Sequence, residues 1–160
     1  MAATLSAIAA TATIGLLAPG PAIAGSAVMA PPSSSEVMAP PSSVASEAIA
    51  HAKSRLGTPY VYGAEGPRAF DCSGLVQWAY RKAGVSLSRT TYTQYREGNA
   101  VSTSDLRPGD LVFFYYGPRH VGMYLGGQQM IHAPKAGGHV EIVRMSGHYD
   151  RNFAGARRIA

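Results

Sequence analysis

A chain of 160 residues, 46% hydrophobic and 9% aromatic, has room for one domain with a core of its own, which excludes a wholly disordered protein. All 14 Lys and Arg residues fall within 53 to 160 against seven acids, while residues 1 to 52 carry only Glu36 and Glu47, so the net +5 divides into +7 and −2. A basic domain suits anionic polymers, carboxylate-rich peptides or nucleic acid, or simply keeps the surface soluble; with no Lys/Arg run interleaved with aromatic residues, nucleic acid is not expected as a partner.

Residues 1 to 24 are rich in Ala, Thr, Leu and Ile and end in Ala22-Ile23-Ala24 before Gly25, the small-residue pattern of a signal-peptidase site. Export is therefore expected, although Met1-Ala2-Ala3-Thr4 lacks the usual positive charge. Pro19 and Pro21 interrupt the stretch, so stable membrane insertion is not expected. Residues 25 to 43 contain a duplication, Val28-Met29-Ala30-Pro31-Pro32-Ser33-Ser34 and Val37-Met38-Ala39-Pro40-Pro41-Ser42-Ser43, which reads as a solvated Pro/Ser linker. The sharper alternative is a removable plug across a cleft.

The folded domain is expected over 44 to 160. A first helix is capped near Ser43, carries Val44, Ala48, Ile49, Ala52 and Leu56 near one face, and stops at Gly57. A second runs from Cys72 to Ala83, with Asp71 as N-cap, Leu75, Val76, Ala79 and Tyr80 as its apolar stripe and Gly84 as its stop. A short third lies around Tyr92 to Glu97. After the turn Arg107-Pro108-Gly109-Asp110 the pattern changes to strands: Leu111 to Tyr115, His120 to Leu125, Gln129 to Ala133, Val140 to Arg144 and Phe153 to Arg158. Helices followed by hairpin-linked strands predict an α+β domain, N-terminal helices packed on a mostly antiparallel sheet of five to six strands.

Cys72 is the only cysteine, so no internal disulfide exists and one thiol needs an explanation. At the first turn of a helix a thiol faces free backbone N–H groups and the positive end of the helix dipole, both of which favour thiolate. A largely ionised Cys72 at neutral pH is expected. The small residues of Asp71-Cys72-Ser73-Gly74 would let a substrate backbone approach the sulfur, whereas the plainer reading makes Cys72 a small buried residue.

His120 and His132 fall in consecutive strands, and loop length decides whether they cooperate. A two-residue loop at Gly126-Gly127 sends them to opposite faces. A three-residue loop, or an equivalent bulge, sets Gly122 against His132 and leaves His120 diagonal to it on the same face, which is the arrangement expected here. His120 would then take the proton of Cys72 while His132 orients His120, or the reverse. A zinc site from His120, His132, His139 and His148 ranks below thiol chemistry, because no second cysteine and no tight histidine spacing is present.

The stretches Gly57-Thr58-Pro59-Tyr60-Val61-Tyr62-Gly63, Phe70-Asp71-Cys72-Ser73-Gly74-Leu75-Val76, Leu106 to Phe114, Arg119-His120-Val121-Gly122-Met123-Tyr124-Leu125-Gly126 and Met130-Ile131-His132-Ala133-Pro134 resemble, in order, the NlpC-type cell-wall cysteine peptidases of the papain-like superfamily. The resemblance implies Cys72 as nucleophile, His120 as base, His132 as third polar residue and Tyr60 beside the nucleophile. Asp71, Ser73 and Arg119 are further substrate-binding candidates, and Arg89, Arg119 and Lys135 a basic rim. It also implies hydrolysis of the D-γ-glutamyl–diamino acid bond of peptidoglycan stem peptides, a secreted or wall location, and no cofactor or metal. An amidase or acyltransferase on the same scaffold, or a non-catalytic wall-binding module, are the competing functions.

Overall fold

The structure, a computed structural model, describes residues 41–160. The expected signal peptide, and the expected linker up to residue 40, lie outside the described residues.

Ser42, one residue earlier than expected, caps the first helix, α1 (Ser43–Lys53), by accepting from the Ala45 N–H at 3.1 Å. Ala45, Ala48 and Ala52 form its buried face. Leu56 is not on that face: the helix closes at Lys53, and Leu56 is 48% exposed. The reason is a competing partner, since Gly57, with φ of +81°, turns its N–H toward the Val140 carbonyl at 2.9 Å. The second helix, α2 (Cys72–Lys82), carries the expected stripe, with Leu75, Val76, Ala79 and Tyr80 all buried and Trp78 beside them. The third, α3 (Thr91–Gln94), is shorter than expected and starts from Thr90. Its buried Gln94 donates to the Ser73 and Ser88 carbonyls, at 3.1 and 2.8 Å, tying the loop before it to the first turn of α2.

Six antiparallel strands follow: β1 (Asn99–Val101), β2 (Leu111–Phe114), β3 (His120–Gly126), β4 (Gln129–His132), β5 (Glu141–Arg144) and β6 (Phe153–Arg158), in the order β1-β6-β2-β3-β4-β5. A four-residue helix, α4 (His148–Arg151), links β5 to β6. Neither β1 nor α4 was expected; each is too short to show a period. Residues alternate across the sheet as pleating requires. Leu111, Phe113, Val121, Met123 and Ile131 pack with Phe70, Leu75, Val76 and Trp78 on the helical side. Val112, Phe114, Tyr124 and Met130 meet Tyr149 and Phe153 on the other.

The β3–β4 hairpin settles the parity. Tyr124 pairs with Met130 but Gly126 with Gln129, so Leu125 is an extra residue, and Gly127 and Gln128 turn the chain with φ of +56° and +59°. The loop is thus a two-residue turn plus a bulge in β3, equivalent in register to the three-residue loop. A Cβ built on Gly122 would lie 3.4 Å from the His132 Cβ, which confirms the expected pairing.

Candidate active site

Asp71 organises the start of α2. Its carboxylate accepts from the Gly74 N–H at 2.7 Å, the Gly63 N–H at 2.9 Å, the Ser73 hydroxyl and the Arg89 guanidinium. Arg89 also donates to Glu65 at 2.8 Å and to the Ser73 hydroxyl at 2.8 Å. Asp71 and Ser73 are buried within this knot, and Arg89 is fully engaged by it. All three residues therefore hold the helix start in place, and Arg89 is not a free cation of the rim. Arg89 comes eighteen positions after Asp71, so no short-range pattern reports this contact.

Gly74 is required by packing. A Cβ there would stand 2.2 Å from the Ala64 carbonyl oxygen, whose other neighbour is the Asp71 N–H at 3.0 Å. Gly74→Ala is expected to displace that loop and cost about 1–3 kcal/mol. A thermal melt of the variant checks this, and an unchanged midpoint would contradict it.

Cys72 is half-buried at the helix tip. Burial pushes its thiol above the ordinary value; against this, the N–H groups of Val121, Ser73 and Cys72 itself pull it down, while Asp71 pushes it up. The expected largely ionised thiol is therefore corrected: desolvation and the Asp71 charge oppose the helix-tip N–H groups. The residue keeps some exposure, and Val121, whose N–H acts on its sulfur, immediately follows His120 on β3.

His120 and His132 are buried, at 7% and 0% exposure, and touch: His120 Nε2 lies 2.8 Å from His132 Nδ1. Their rings meet edge to face with centroids 5.0 Å apart. Burial lowers His120 to about 4; burial, and then the charge of His120, lowers His132 to about 3. Both imidazoles are thus neutral at pH 7, and one of the two facing nitrogens carries the shared hydrogen. Tyr149, on α4, packs edge-on to His132 at 5.4 Å and stacks on His120 at 6.5 Å, with Phe114 on His120 as well. Sequence reasoning missed Tyr149, and a four-residue helix left no signal that could have found it.

Tyr60 is half-buried, and burial raises its hydroxyl above the ordinary value, followed by the charge of Cys72 and then that of Asp71. Its hydroxyl therefore stays protonated at neutral pH, and the charge of Cys72 reaches it. Arg119 lies apart from the Asp71 knot, with exposed Lys135 on the wall of a cavity of about 880 Å³ that also takes in His120, Glu141 and Tyr149. Among the described residues no group of three or more His, Cys, Asp or Glu is placed to hold a metal ion, and no helix is long and apolar enough to cross a membrane.

Helices packed on an antiparallel sheet, with a thiol at a helix tip and a histidine pair on the strands beside it, define the papain-like class of domain. Within that class the chain belongs to the NlpC/P60 family, whose sequence model matches residues 57–158. A probable endopeptidase of Corynebacterium glutamicum is 51% identical over 82 residues, which cover 51% of this chain and 39% of that protein. The probable endopeptidase p60 of Listeria monocytogenes is 46% identical over 101 residues, 62% of this chain and 21% of that one. The chain thus spans well under half the length of these relatives. Among solved structures, an NlpC/P60 family protein from Bacillus cereus superposes with a TM-score of 0.70 at 36% identity, covering 76% of this chain and 41% of that one. The peptidoglycan hydrolase RipB of Mycobacterium tuberculosis superposes with a TM-score of 0.66 at 30% identity, over 72% and 64%.

Proposed function

We propose that this chain is an exported peptidoglycan hydrolase, a cysteine endopeptidase that cuts the bond between D-γ-glutamate and the diamino acid, diaminopimelate, of wall stem peptides. The observation that carries the reading is the buried 2.8 Å contact of His120 with His132 on strands β3 and β4, one residue from the N–H that polarises Cys72. The names of the relatives, probable endopeptidases and a peptidoglycan hydrolase, support the same class of reaction.

With Nε2 engaged by His132, His120 has Nδ1 left for the sulfur. The site rests neutral, because burial disfavours each charge alone. Charge appears only when the proton of Cys72 passes to His120 as the sulfur bonds to the amide carbon, and the two opposite charges then stabilise each other. The tetrahedral oxyanion accepts from the Cys72 N–H and the Tyr60 hydroxyl. The C–N bond breaks as His120 returns its proton to the departing amine, leaving a thioester. Water, deprotonated by His120, attacks that thioester; the C–S bond breaks and the thiol is restored. The departing amine leaves on the imidazole side, where Arg119 and Lys135 border the cavity and can meet a free carboxylate of the diamino acid.

Defined muropeptides incubated with the protein and with Cys72→Ala test the bond assignment by mass analysis. A new diamino-acid amine, absent with the variant, is expected. Release of intact stem from sugar would identify an amidase; binding without release by either protein would identify a wall-binding module.

A further inference from the structure

The histidine pair leaves one buried atom unaccounted for. His132 Nε2 has no hydrogen-bond partner, although His132 is fully buried. A buried polar nitrogen without a partner is costly, and native cores rarely keep one. The Glu141 carboxylate stands by, with Oε1 at 3.6 Å, too long for a hydrogen bond. Glu141 stands directly opposite His132 in the β4–β5 register, so a side-chain adjustment alone, with no shift of the strands, brings the two into contact. Its side chain is 39% exposed, which leaves it room to move.

We infer that Glu141 is a fourth, positioning member of this site, holding His132 in the tautomer that makes His120 a base, across the cross-strand pair His132–Glu141.

This inference rests on the cysteine-peptidase reading and deepens it. The tautomers of the two rings are locked together, because two nitrogens 2.8 Å apart share one hydrogen. With the carboxylate accepting from Nε2–H of His132, Nδ1 of that ring is a bare acceptor. His120 must then carry its hydrogen on Nε2, and its Nδ1 is free to take the proton of Cys72. Without the carboxylate, His132 can carry its hydrogen on Nδ1 instead. That arrangement reverses the shared bond and puts the hydrogen of His120 on Nδ1, where it blocks the base. When His120 becomes an imidazolium, the carboxylate two rings away also opposes its positive charge. Among the described residues, the groups facing His132 are His120 from β3, Glu141 from β5 and the Tyr149 ring from α4, and of these Glu141 supplies the carboxylate. The sequence offers no hint of it, since Glu141 reads as an ordinary polar residue of an edge strand.

The test measures steady-state cleavage of a stem tripeptide by wild type, Glu141→Ala and Glu141→Gln, each also in a His132→Asn background, with folding checked by circular dichroism. Glu141→Ala is expected to lower kcat about 10- to 100-fold, the usual scale for a partner that orients a reacting imidazole, with KM nearly unchanged. Glu141→Gln keeps an acceptor oxygen and is expected to recover most of the loss. In the His132→Asn background Glu141→Ala should have no further effect, because there is no second ring to orient. Nitrogen-15 NMR should find the hydrogen of His132 on Nε2 in wild type and redistributed in Glu141→Ala, a readout independent of activity. Wild-type kcat in Glu141→Ala, an equal loss in both backgrounds, or the hydrogen on Nδ1 in wild type would overturn the proposal. If Cys72→Ala keeps full activity, the peptidase reading itself fails, which is a different result from any of these.

Discussion

Replacing His120 with Ala is expected to lower kcat/KM on wall peptides about 10⁴-fold, and Cys72→Ala about as much, while the double variant is no worse than either single one. Non-additivity is the informative part. Thiol and imidazole exchange one proton, so once either is gone the other has nothing left to contribute. Burial makes the dependence strong, because the Cys72 thiol is pushed up and solvent cannot readily replace the missing base. Kinetics on purified stem peptides measure this, with circular dichroism as the control for folding. Retention of activity within tenfold in either single variant would remove the proposed base or nucleophile from the reaction.

The same two histidines should make the domain sensitive to acid. Burial holds His120 at about 4 and His132 at about 3, whereas an unfolded imidazole titrates near 6.5. Below 6.5 the unfolded chain binds protons that the folded one refuses. The stability that these residues confer is therefore complete above 6.5 and is lost as the pH falls through that value toward 4 and 3. At about 1.4 kcal/mol for each pKa unit, His120 alone accounts for on the order of 3 kcal/mol, a large part of a typical net stability. The two contributions do not simply add, because a proton on one ring repels a proton on the other. A drop in melting temperature of roughly 10 °C between pH 7 and pH 4.5 follows for a domain of this size. The slope should flatten in a variant carrying His120→Gln and His132→Asn. A melting temperature that is flat with pH in the wild type, or equally steep in that variant, would contradict the neutral buried pair.

Much of this architecture is legible in short stretches of sequence. Asp71 before Cys72 announces a capped helix, Gly84 announces its end, and five of the six strands stand out as short runs bounded by turn residues. Caps, glycine stops and periodicity are set by neighbours a few residues away, and so they survive without tertiary context. Strand placement singled out His120 and His132 among the five histidines, the resemblance assigned their expected roles, and the structure brings those two into contact. Where local pattern was weak the reading fell short: Leu56 continues the apolar face of α1 on paper, yet the chain leaves the helix to meet Val140.

By itself the sequence determined that a lone cysteine would sit at a helix tip and that two histidines would lie on adjoining strands, because residue spacing and capping chemistry are local. Only the tertiary structure decided that a bulge at Leu125 turns both imidazoles to one face, that Arg89 is spent on Asp71, that burial raises the thiol, and that Glu141 stands across from His132. Each of these depends on register, desolvation or a contact between distant segments, and such quantities exist only once the chain has closed around its core.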